Sequence, residues 1–189
     1  MKTKLLTLIV LLSIFKAEAQ FVTIPDPAFV HWLDTMGFSG CLNGNQMDTT
    51  CADIVNATSL YASEPITDFT GLQYFDNVAH ITFQNMSDLI ILNEVPPSLE
   101  SLAILTAPNL TTIAALPQSL VALYANATSL NSLPALPAGL KTLGVTNSLL
   151  NALPNLPPGL EALSCNDNPL TVLPAMPASL QQLNCFGCS

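Results

Sequence analysis

Residues 156–177 read LPPGLEALSCNDNPLTVLPAMP, and this stretch holds one complete copy of a unit that recurs along most of the chain. The unit opens with an apolar residue and a proline, continues as Leu-x-x-Leu-x-apolar and closes as Leu-x-x-Leu-Pro. The first leucine position of its Leu-x-x-Leu-x-apolar segment recurs every 20 or 21 residues, at Ala57, Val78, Leu99, Leu120, Leu140, Leu160 and Leu180. The chain therefore contains six full units and the start of a seventh.

A fixed period of this length, with leucines at constant offsets, is typical of a leucine-rich-repeat solenoid. One unit cannot bury its apolar edge alone, so stability comes from stacking neighbouring units. The last three positions of each Leu-x-x-Leu-x-apolar segment alternate inward and outward, as in a short strand. We therefore expect the segments to pair as one parallel sheet along the concave face of the solenoid.

Prolines determine the opposite, convex side of the units. After Pro117 they recur in pairs three residues apart, such as Pro134 with Pro137. Proline removes a backbone donor and drives the preceding residue to extended angles. We expect an extended, polyproline-like convex side there, and a short helical or 3₁₀ segment only between Ile54 and Val78.

The first 19 residues have the order of a secretory signal peptide. Lys2 and Lys4 precede the apolar run 5–15, and Ala17-Glu18-Ala19 supplies the small residues for cleavage after Ala19. The run is too short for a membrane-spanning helix, which needs about 20 apolar residues, and no cysteine follows to accept a lipid. This pattern predicts a soluble protein that is secreted or held at the cell surface, without membrane insertion.

Cleavage there removes three of the four basic residues. Residues 20–189 retain Lys141 against twelve acidic side chains, which is a net charge of −11. Phosphate recognition needs Lys and Arg to neutralise charge. Nucleic acids and anionic membranes are therefore excluded as partners.

Residues 20–56 are predicted to form an N-terminal cap, and residues 57–189 the repeats. Asp26 followed by Pro27 indicates a helix start, because a carboxylate caps the first free N–H groups and proline fits the first helical position. Gly37 is the expected stop. Four apolar residues recur at helical spacing and predict one buried face: Phe29, Trp32, Leu33 and Met36.

Cys41 and Cys51 bracket a polar loop in a chain with an export signal. Disulfides form in such oxidising compartments, so we expect this pair to be bonded, which contributes about 2–3 kcal/mol. The alternative is a metal site using oxygens of Asn43, Asn45 and Asp48. Calcium takes six to eight oxygen ligands, usually several from carboxylates, and only one carboxylate is present, so neither metal nor cofactor is predicted.

The three other cysteines lie near the C-terminal end. Cys165 and Cys185 fall at the inward position that Val145 occupies one unit earlier. A buried free cysteine behaves as a small hydrophobic residue, so we expect a stack of thiols inside the solenoid. Cys185 and Cys188 also form a C-x-x-C, but one such pair is weak evidence for zinc.

The concave surface is predicted from the strand alternation, since side chains beside inward-facing Leu123 and Ala125 must point outward. Extended to every unit, this gives Ser59, Tyr61, Ser63, His80, Thr82, Gln84, Ser101, Ala103, Leu105, Ala122, Tyr124, Asn126, Thr142, Gly144, Thr146, Ala162, Ser164, Asn166, Gln182, Asn184 and Phe186. The candidate ligand-binding residues among them are Tyr61, His80, Gln84, Tyr124, Asn126 and Asn166. General acid–base catalysis needs titratable groups near one another, and no acidic or nucleophilic residue flanks His80, so no enzyme activity is predicted.

The Leu-Pro-x-Leu-Pro units resemble short bacterial leucine-rich repeats, and residues 66–72, ITDFTGL, look like the internalin type. Residues 24–29, IPDPAF, and 41–51, CLNGNQMDTTC, resemble the cap of exported leucine-rich-repeat proteins of Bacteroidetes and flavobacteria. Members of that group commonly end in a sorting domain for type IX secretion, whereas this sequence stops inside a repeat at Ser189. We therefore expect a fragment or a truncated gene product.

The sequence is compatible with two functions. The first is an exported binding module that holds a protein or a glycan on its concave face, and the alternative is a structural spacer or stalk within a larger surface adhesin. Leu180, Leu183 and Cys185 begin a seventh rung without an outer return. Because an open rung exposes apolar side chains and unpaired strand edge, we also expect the chain to self-associate through this rung or to fray there.

Overall fold

The chain begins with a cap of short elements. A computed structural model describes residues 20–188, so the predicted signal peptide and Ser189 lie outside the described residues. The cap elements are β1 (Phe21–Thr23), α1 (Pro27–Leu33), β2 (Leu42–Asn43), β3 (Gln46–Asp48) and α2 (Ala52–Asn56). A π-helical turn at Asp34–Phe38 and a 3₁₀ turn at Ser39–Cys41 follow α1, and β3 pairs antiparallel with both β1 and β2.

Helix α1 starts as the sequence predicts. The Asp26 carboxylate accepts the N–H of Ala28 at 2.7 Å, and Pro27 is the first helical residue. The prediction that the buried face extends to Met36 is wrong, because this side chain is 45% exposed. The α-helix ends at Leu33, and the π-helical turn with Gly37 at φ +96° rotates Met36 out of line with the buried face.

The predicted disulfide between Cys41 and Cys51 is present, with Cα atoms 5.5 Å apart. It closes the loop that carries the β2–β3 hairpin. Gly44 lies at the hairpin turn with φ +62°, a conformation that glycine adopts without steric cost. The bond therefore ties the start of α2 to the end of the 3₁₀ turn.

The repeats form a solenoid whose concave face is one parallel sheet of seven strands, which confirms the predicted fold class. The strands after the cap are β4 (Ser59–Ala62), β5 (His80–Gln84), β6 (Ile91–Leu92), β7 (Ser101–Ala107), β8 (Thr112–Ile113), β9 (Ala122–Thr128), β10 (Thr142–Gly144), β11 (Ala162–Ser164) and β12 (Gln182–Asn184). All except β6 and β8 belong to the concave sheet. Equivalent leucines stand side by side in it, so that Leu143 pairs with Leu123 on one side and Leu163 on the other.

These leucine columns form the core. Leu123, Leu143 and Leu163 are all buried, and burying one such side chain contributes about 1.5–3 kcal/mol. Between the core positions, side chains alternate to the concave face, as the burial pattern of β9 illustrates. The leucine period therefore sets both the register of the sheet and the direction in which every strand residue points.

The convex side is extended over most of its length. Strands β6 and β8 form a short parallel pair there, and a 3₁₀ turn at Leu72–Tyr74 lies in the region where the sequence predicts one. Beyond that turn, the part of the chain that the structure describes contains no helix. Each proline-initiated turn instead returns the chain to the sheet, as when the carbonyl of Pro137 accepts the N–H of Leu140 at 3.1 Å.

From β5 onwards, each coil has one residue with a left-handed backbone at or just beyond the end of its concave strand. These residues, with φ between 52° and 72°, are Asn85, Thr106, Ala127, Asn147, Asp167 and Gly187. Glycine and asparagine tolerate this region, whereas a β-branched residue is strained in it. The repeat therefore needs one left-handed residue per coil, and Thr106 supplies it at a steric cost.

We expect Thr106→Asn to raise the free energy of unfolding by about 1 kcal/mol, because asparagine adopts this backbone conformation more readily. The Thr106 side chain is exposed, and the hydrogen bond from the N–H of Met86 goes to its backbone oxygen, so the substitution keeps that contact. Chemical denaturation measures the change. Thr112→Asn, at an exposed position in β8, is the control that should not gain stability, and an equal gain there would contradict the explanation.

Candidate functional site

The six candidate residues all lie on or beside the concave sheet. Tyr61, His80 and Tyr124 are exposed, while Gln84, Asn126 and Asn166 are half-buried. The strands fix these positions, since each residue alternates with a buried core residue. The structure brings Tyr61 and Gln84 into contact with each other.

That contact lies at the N-terminal end of the concave sheet. The hydroxyl of Tyr61 in β4 donates to Oε1 of Gln84 in β5 at 2.9 Å. The tyrosine ring is 47% exposed, so its face is open although its hydroxyl has a partner. This pair presents apolar area together with a hydroxyl whose donor is used and whose oxygen can still accept a hydrogen bond.

The two asparagines have a structural role in addition to any binding role. Oδ1 of Asn126 accepts from both N and Oγ1 of Thr146, each at 3.1 Å. Oδ1 of Asn166 accepts from the N–H of Phe186 at 2.9 Å. Their side-chain oxygens therefore hold the following coil in place.

Tyr124 has a different environment, because it pairs in register with Gly144 of the neighbouring strand. A Cβ added at Gly144 would lie 2.7 Å from Cδ1 of Tyr124, so the ring leans directly over the glycine. The sequence placed Gly144 on the open concave surface, but it is buried. The covering tyrosine is the physical reason for this correction.

Beyond the ring lies a cleft of about 150 Å³, here termed the Tyr124 cleft. It spans four neighbouring strands and has small residues on its floor. Its lining residues are Tyr124, Thr142, Leu143, Gly144, Ala162, Leu163, Ser164, Gln182 and Asn184. The polar residues of this cleft lie on the predicted concave surface, but Thr142, Ser164, Gln182 and Asn184 were not among the candidate residues. The pattern that indicates the cleft is a tyrosine one coil before a glycine at the same offset.

The surroundings of this sheet are almost without positive charge. Lys141 is the one basic residue among residues 20–188, and its Nζ lies 2.9 Å from Oε1 of Glu161. Both side chains are about half exposed, so water screens the pair and its contribution to stability is small. His80 pairs in register with Ser59 and Ser101, neither of which is acidic.

A polar column, buried at its first three members, was not recognised from the sequence. Its members recur at one offset along the coils: Thr128, Ser148, Asn168 and Cys188. Nδ2 of Asn168 donates to the oxygen of Val145 at 2.6 Å, and its Oδ1 accepts the N–H of Leu150 at 3.1 Å. The Cys188 thiol lies 3.4 Å from the oxygen of Cys165 in the equivalent position. Of the two cysteines in the C-x-x-C, Cys185 thus occupies a core position and Cys188 a position in this column.

The three free thiols differ in exposure, since Cys165 is buried while Cys185 and Cys188 are half-buried. Burial, together with the neighbouring Cys188 and Cys185 thiols, raises the pKa of Cys165 from its ordinary value of 9.0 to about 12. The folded state therefore binds this proton more tightly than the unfolded state does. The resulting stabilisation is complete below pH 9.0 and is lost as the pH rises towards 12.

We expect iodoacetamide at pH 8 to modify Cys185 and Cys188 in the folded chain and to leave Cys165 intact, because the thiolate is the reactive form. Peptide mass spectrometry identifies the modified positions. Alkylation in denaturant is the control, in which all three should react. Modification of Cys165 in the folded chain as fast as Cys188 would contradict its burial.

The repeat architecture follows from the strand register and the leucine columns described above. No protein-family model and no curated protein matches the chain. Among solved structures, YopM from Yersinia enterocolitica WA-314 is similar over 70% of this chain, with 27% sequence identity and a TM-score of 0.47. The match covers 33% of the YopM chain, so this chain spans about a third of the length of that protein.

Proposed function

We propose that this protein is an exported binding module that holds a protein or a glycan on its concave sheet. The observation that carries the proposal is the pair of tyrosines on that sheet, Tyr61 at 47% and Tyr124 at 37% exposure. A tyrosine offers a large amphipathic contact area at low entropic cost. Tyr124 lies on β9, which is hydrogen-bonded to a strand on each side. Tyr61 lies on β4, which is hydrogen-bonded to β5 and packed against the cap. The contact surface is therefore rigid.

Export is the part of the proposal that rests on the cap and the leader. The Cys41–Cys51 bond supports it, because disulfides persist in oxidising compartments. The order of charged, apolar and small residues in positions 1–19 supports it as well. Within residues 20–188, no helix has the length and apolar character that crossing a membrane requires.

We infer that the module binds its ligand without transforming it. General acid–base chemistry needs titratable groups within hydrogen-bond reach of each other. On the concave surface, His80 has Ser59 and Ser101 as its register partners. This neighbourhood supplies hydroxyl groups to contact a ligand and no carboxylate to orient the imidazole.

A capture experiment with matched variants tests the proposal. The immobilised chain is incubated with a cell-envelope extract of the source organism, and bound material is analysed for both protein and sugar. Ala103→Arg with Ser164→Arg places bulky charges on the concave sheet on both sides of Tyr124, and should abolish capture. Thr112→Arg with Thr171→Arg adds the same charge at exposed positions outside that sheet and should leave capture intact.

Treating the extract identifies the class of ligand. Protease digestion should remove a protein ligand, and periodate oxidation should remove a glycan. Equal capture by the two double variants would place binding elsewhere on the solenoid. If the unmodified chain captures nothing, the alternative of a structural spacer is favoured instead.

A further inference from the structure

We propose that the Tyr124 cleft binds one ring of a neutral saccharide, an inference that rests on the proposed concave-face binding. The cleft lies towards the C-terminal side of Tyr124, on strands β9 to β12. Four features of it carry the inference: the orientation of the ring, the free polar groups, the lack of cationic side chains and the size.

The aromatic ring lies along the sheet because its neighbour has no side chain. A Cβ at position 144 would lie 2.7 Å from Cδ1 of Tyr124 and would push the ring away. Ser164, the register partner of Gly144 on β11, and Ala162 are also small and line the cleft. A reclining ring presents a flat surface with a partial negative charge, and the C–H groups on one face of a pyranose carry the opposite partial charge.

The polar side chains around the cleft retain their hydrogen-bonding capacity. Tyr61 and Asn126 make side-chain hydrogen bonds to adjacent coils. Thr142, Ser164 and Asn184, by contrast, use no side-chain atom in a hydrogen bond within residues 20–188.

Hydroxyls and amides both donate and accept, as sugar hydroxyls do. A ligand that covers these groups must satisfy them, since leaving a buried polar group unpaired costs about 1–3 kcal/mol. A sugar ring offers a hydroxyl on nearly every carbon, so it can satisfy several such groups at once. A purely apolar ligand would leave them without partners.

The charges decide between neutral and acidic sugars. The cleft is lined by uncharged residues, and the one lysine within residues 20–188 is paired with Glu161 at 2.9 Å. Carboxylate and sulfate groups are recognised chiefly by charge-assisted hydrogen bonds from arginine or lysine. A neutral saccharide therefore fits the cleft better than a uronate or a sulfated sugar.

The size favours a single ring as the bound unit. The cleft of about 150 Å³ is small beside the 300–1,000 Å³ of typical drug-sized sites. A larger recess of about 300 Å³ beside Thr106, Ala127 and Asn147 has no aromatic wall. One ring buries little area, so the dissociation constant is expected on the order of 1 mM.

Saturation-transfer difference NMR on the folded chain tests the inference at such affinities. The probes are cellotetraose, maltotetraose, mannotetraose and galactotetraose, which differ in linkage and in axial hydroxyls, and tetragalacturonate as the anionic probe. At least one neutral probe should bind, and tetragalacturonate should bind at least tenfold more weakly. Tyr124→Ala should weaken the neutral binding at least tenfold. The matched control Phe21→Ala removes an exposed aromatic side chain of cap strand β1, outside the concave sheet, and should change the binding less than twofold.

Gly144→Ala is a second variant, because it lifts the ring while retaining every polar group of the cleft. It should weaken binding at least threefold with an unchanged unfolding midpoint. No binding of any neutral probe, equal losses in Tyr124→Ala and Phe21→Ala, or tighter binding of tetragalacturonate would each overturn the inference.

These outcomes are separable from the fate of the proposed function. If capture from the envelope extract is lost in the concave double variant while no saccharide binds, the saccharide inference falls and concave-face binding stands. If neither capture nor saccharide binding is found, both fall together. Saccharide binding that Tyr124→Ala abolishes supports both.

Discussion

Asp26→Ala is expected to lower the free energy of unfolding by about 3–5 kcal/mol, which is within the range for removing a buried charged hydrogen-bond partner. The carboxylate is only 7% exposed. Its Oδ1 caps α1 through Ala28, and its Oδ2 accepts from N and Oγ1 of Thr67 and from N of Asp68, at 2.6, 2.7 and 3.1 Å. One side chain thus joins the cap helix to the first coil, and alanine would leave these donors without their partner.

Urea denaturation followed by the fluorescence of Trp32, which is buried in the cap, measures this loss. Asp76→Ala is the matched control, because Asp76 is exposed and surface substitutions typically change stability by less than about 0.5 kcal/mol. Similar losses for the two variants would show that the Asp26 contacts are not the source of the effect.

The same carboxylate should make stability depend on acid. Burial acts to raise the pKa of Asp26, but the hydrogen bonds from Thr67, Ala28 and Asp68 outweigh it and hold the pKa below the ordinary value of 3.8. The stabilisation is therefore present above pH 3.8 and is lost as the pH falls through the lower pKa of the folded state. The difference in stability between the wild-type chain and Asp26→Ala should shrink as the pH drops below 3.8.

Phe69→Ala is expected to cost about 3–5 kcal/mol, as is usual for deleting a buried aromatic ring. The Phe69 ring stacks on Phe83 of β5 with centroids 4.4 Å apart, and it meets the ring of Phe29 in α1 edge-on at 5.2 Å. Removing it opens a cavity between the cap and the first two coils. The apolar contacts of both neighbouring rings are lost together.

The distribution of this loss along the chain is also predicted. Each coil contacts chiefly its neighbours in a solenoid, so hydrogen exchange should accelerate in α1, β4 and β5 and stay nearly unchanged in β11. Phe186→Ala, at 83% exposure, is the control that should cost less than about 0.5 kcal/mol. Uniform acceleration along the whole chain would instead indicate that the solenoid unfolds as one unit.

The leucine period was sufficient to predict the sheet, because it constrains every coil in the same way. Leu123, Leu143 and Leu163 share one offset, and a one-residue slip would turn each of them out of the core. The register, the parallel pairing and the concave face all follow from that constraint. The disulfide was predictable for a similar reason, since the predicted export signal and the spacing of Cys41 and Cys51 both favour it.

The site was less predictable because it depends on how individual side chains lean. The alternation of strand residues predicted that Gly144 lies on the surface, but a two-residue period carries no information on the tilt of the Tyr124 ring over it. Met36 was assigned to a buried face for a related reason, since helical spacing cannot reveal the π-helical turn after Leu33. The polar column with Asn168 was detectable as a recurrence at one offset, but polar residues are not expected inside a core until their backbone partners are known.

The environment of Lys141 also determines whether proteases that cut after basic residues can cleave the folded chain. The sequence has no arginine, and its other lysines lie at or before Lys16. Within residues 20–188 a trypsin-like enzyme therefore has one target bond, between Lys141 and Thr142. That bond enters β10, which is paired on both sides, and Nζ of Lys141 is engaged by Glu161. Cleavage thus requires the middle of the solenoid to open first, so the stacked coils protect the chain from proteases that cut after basic residues.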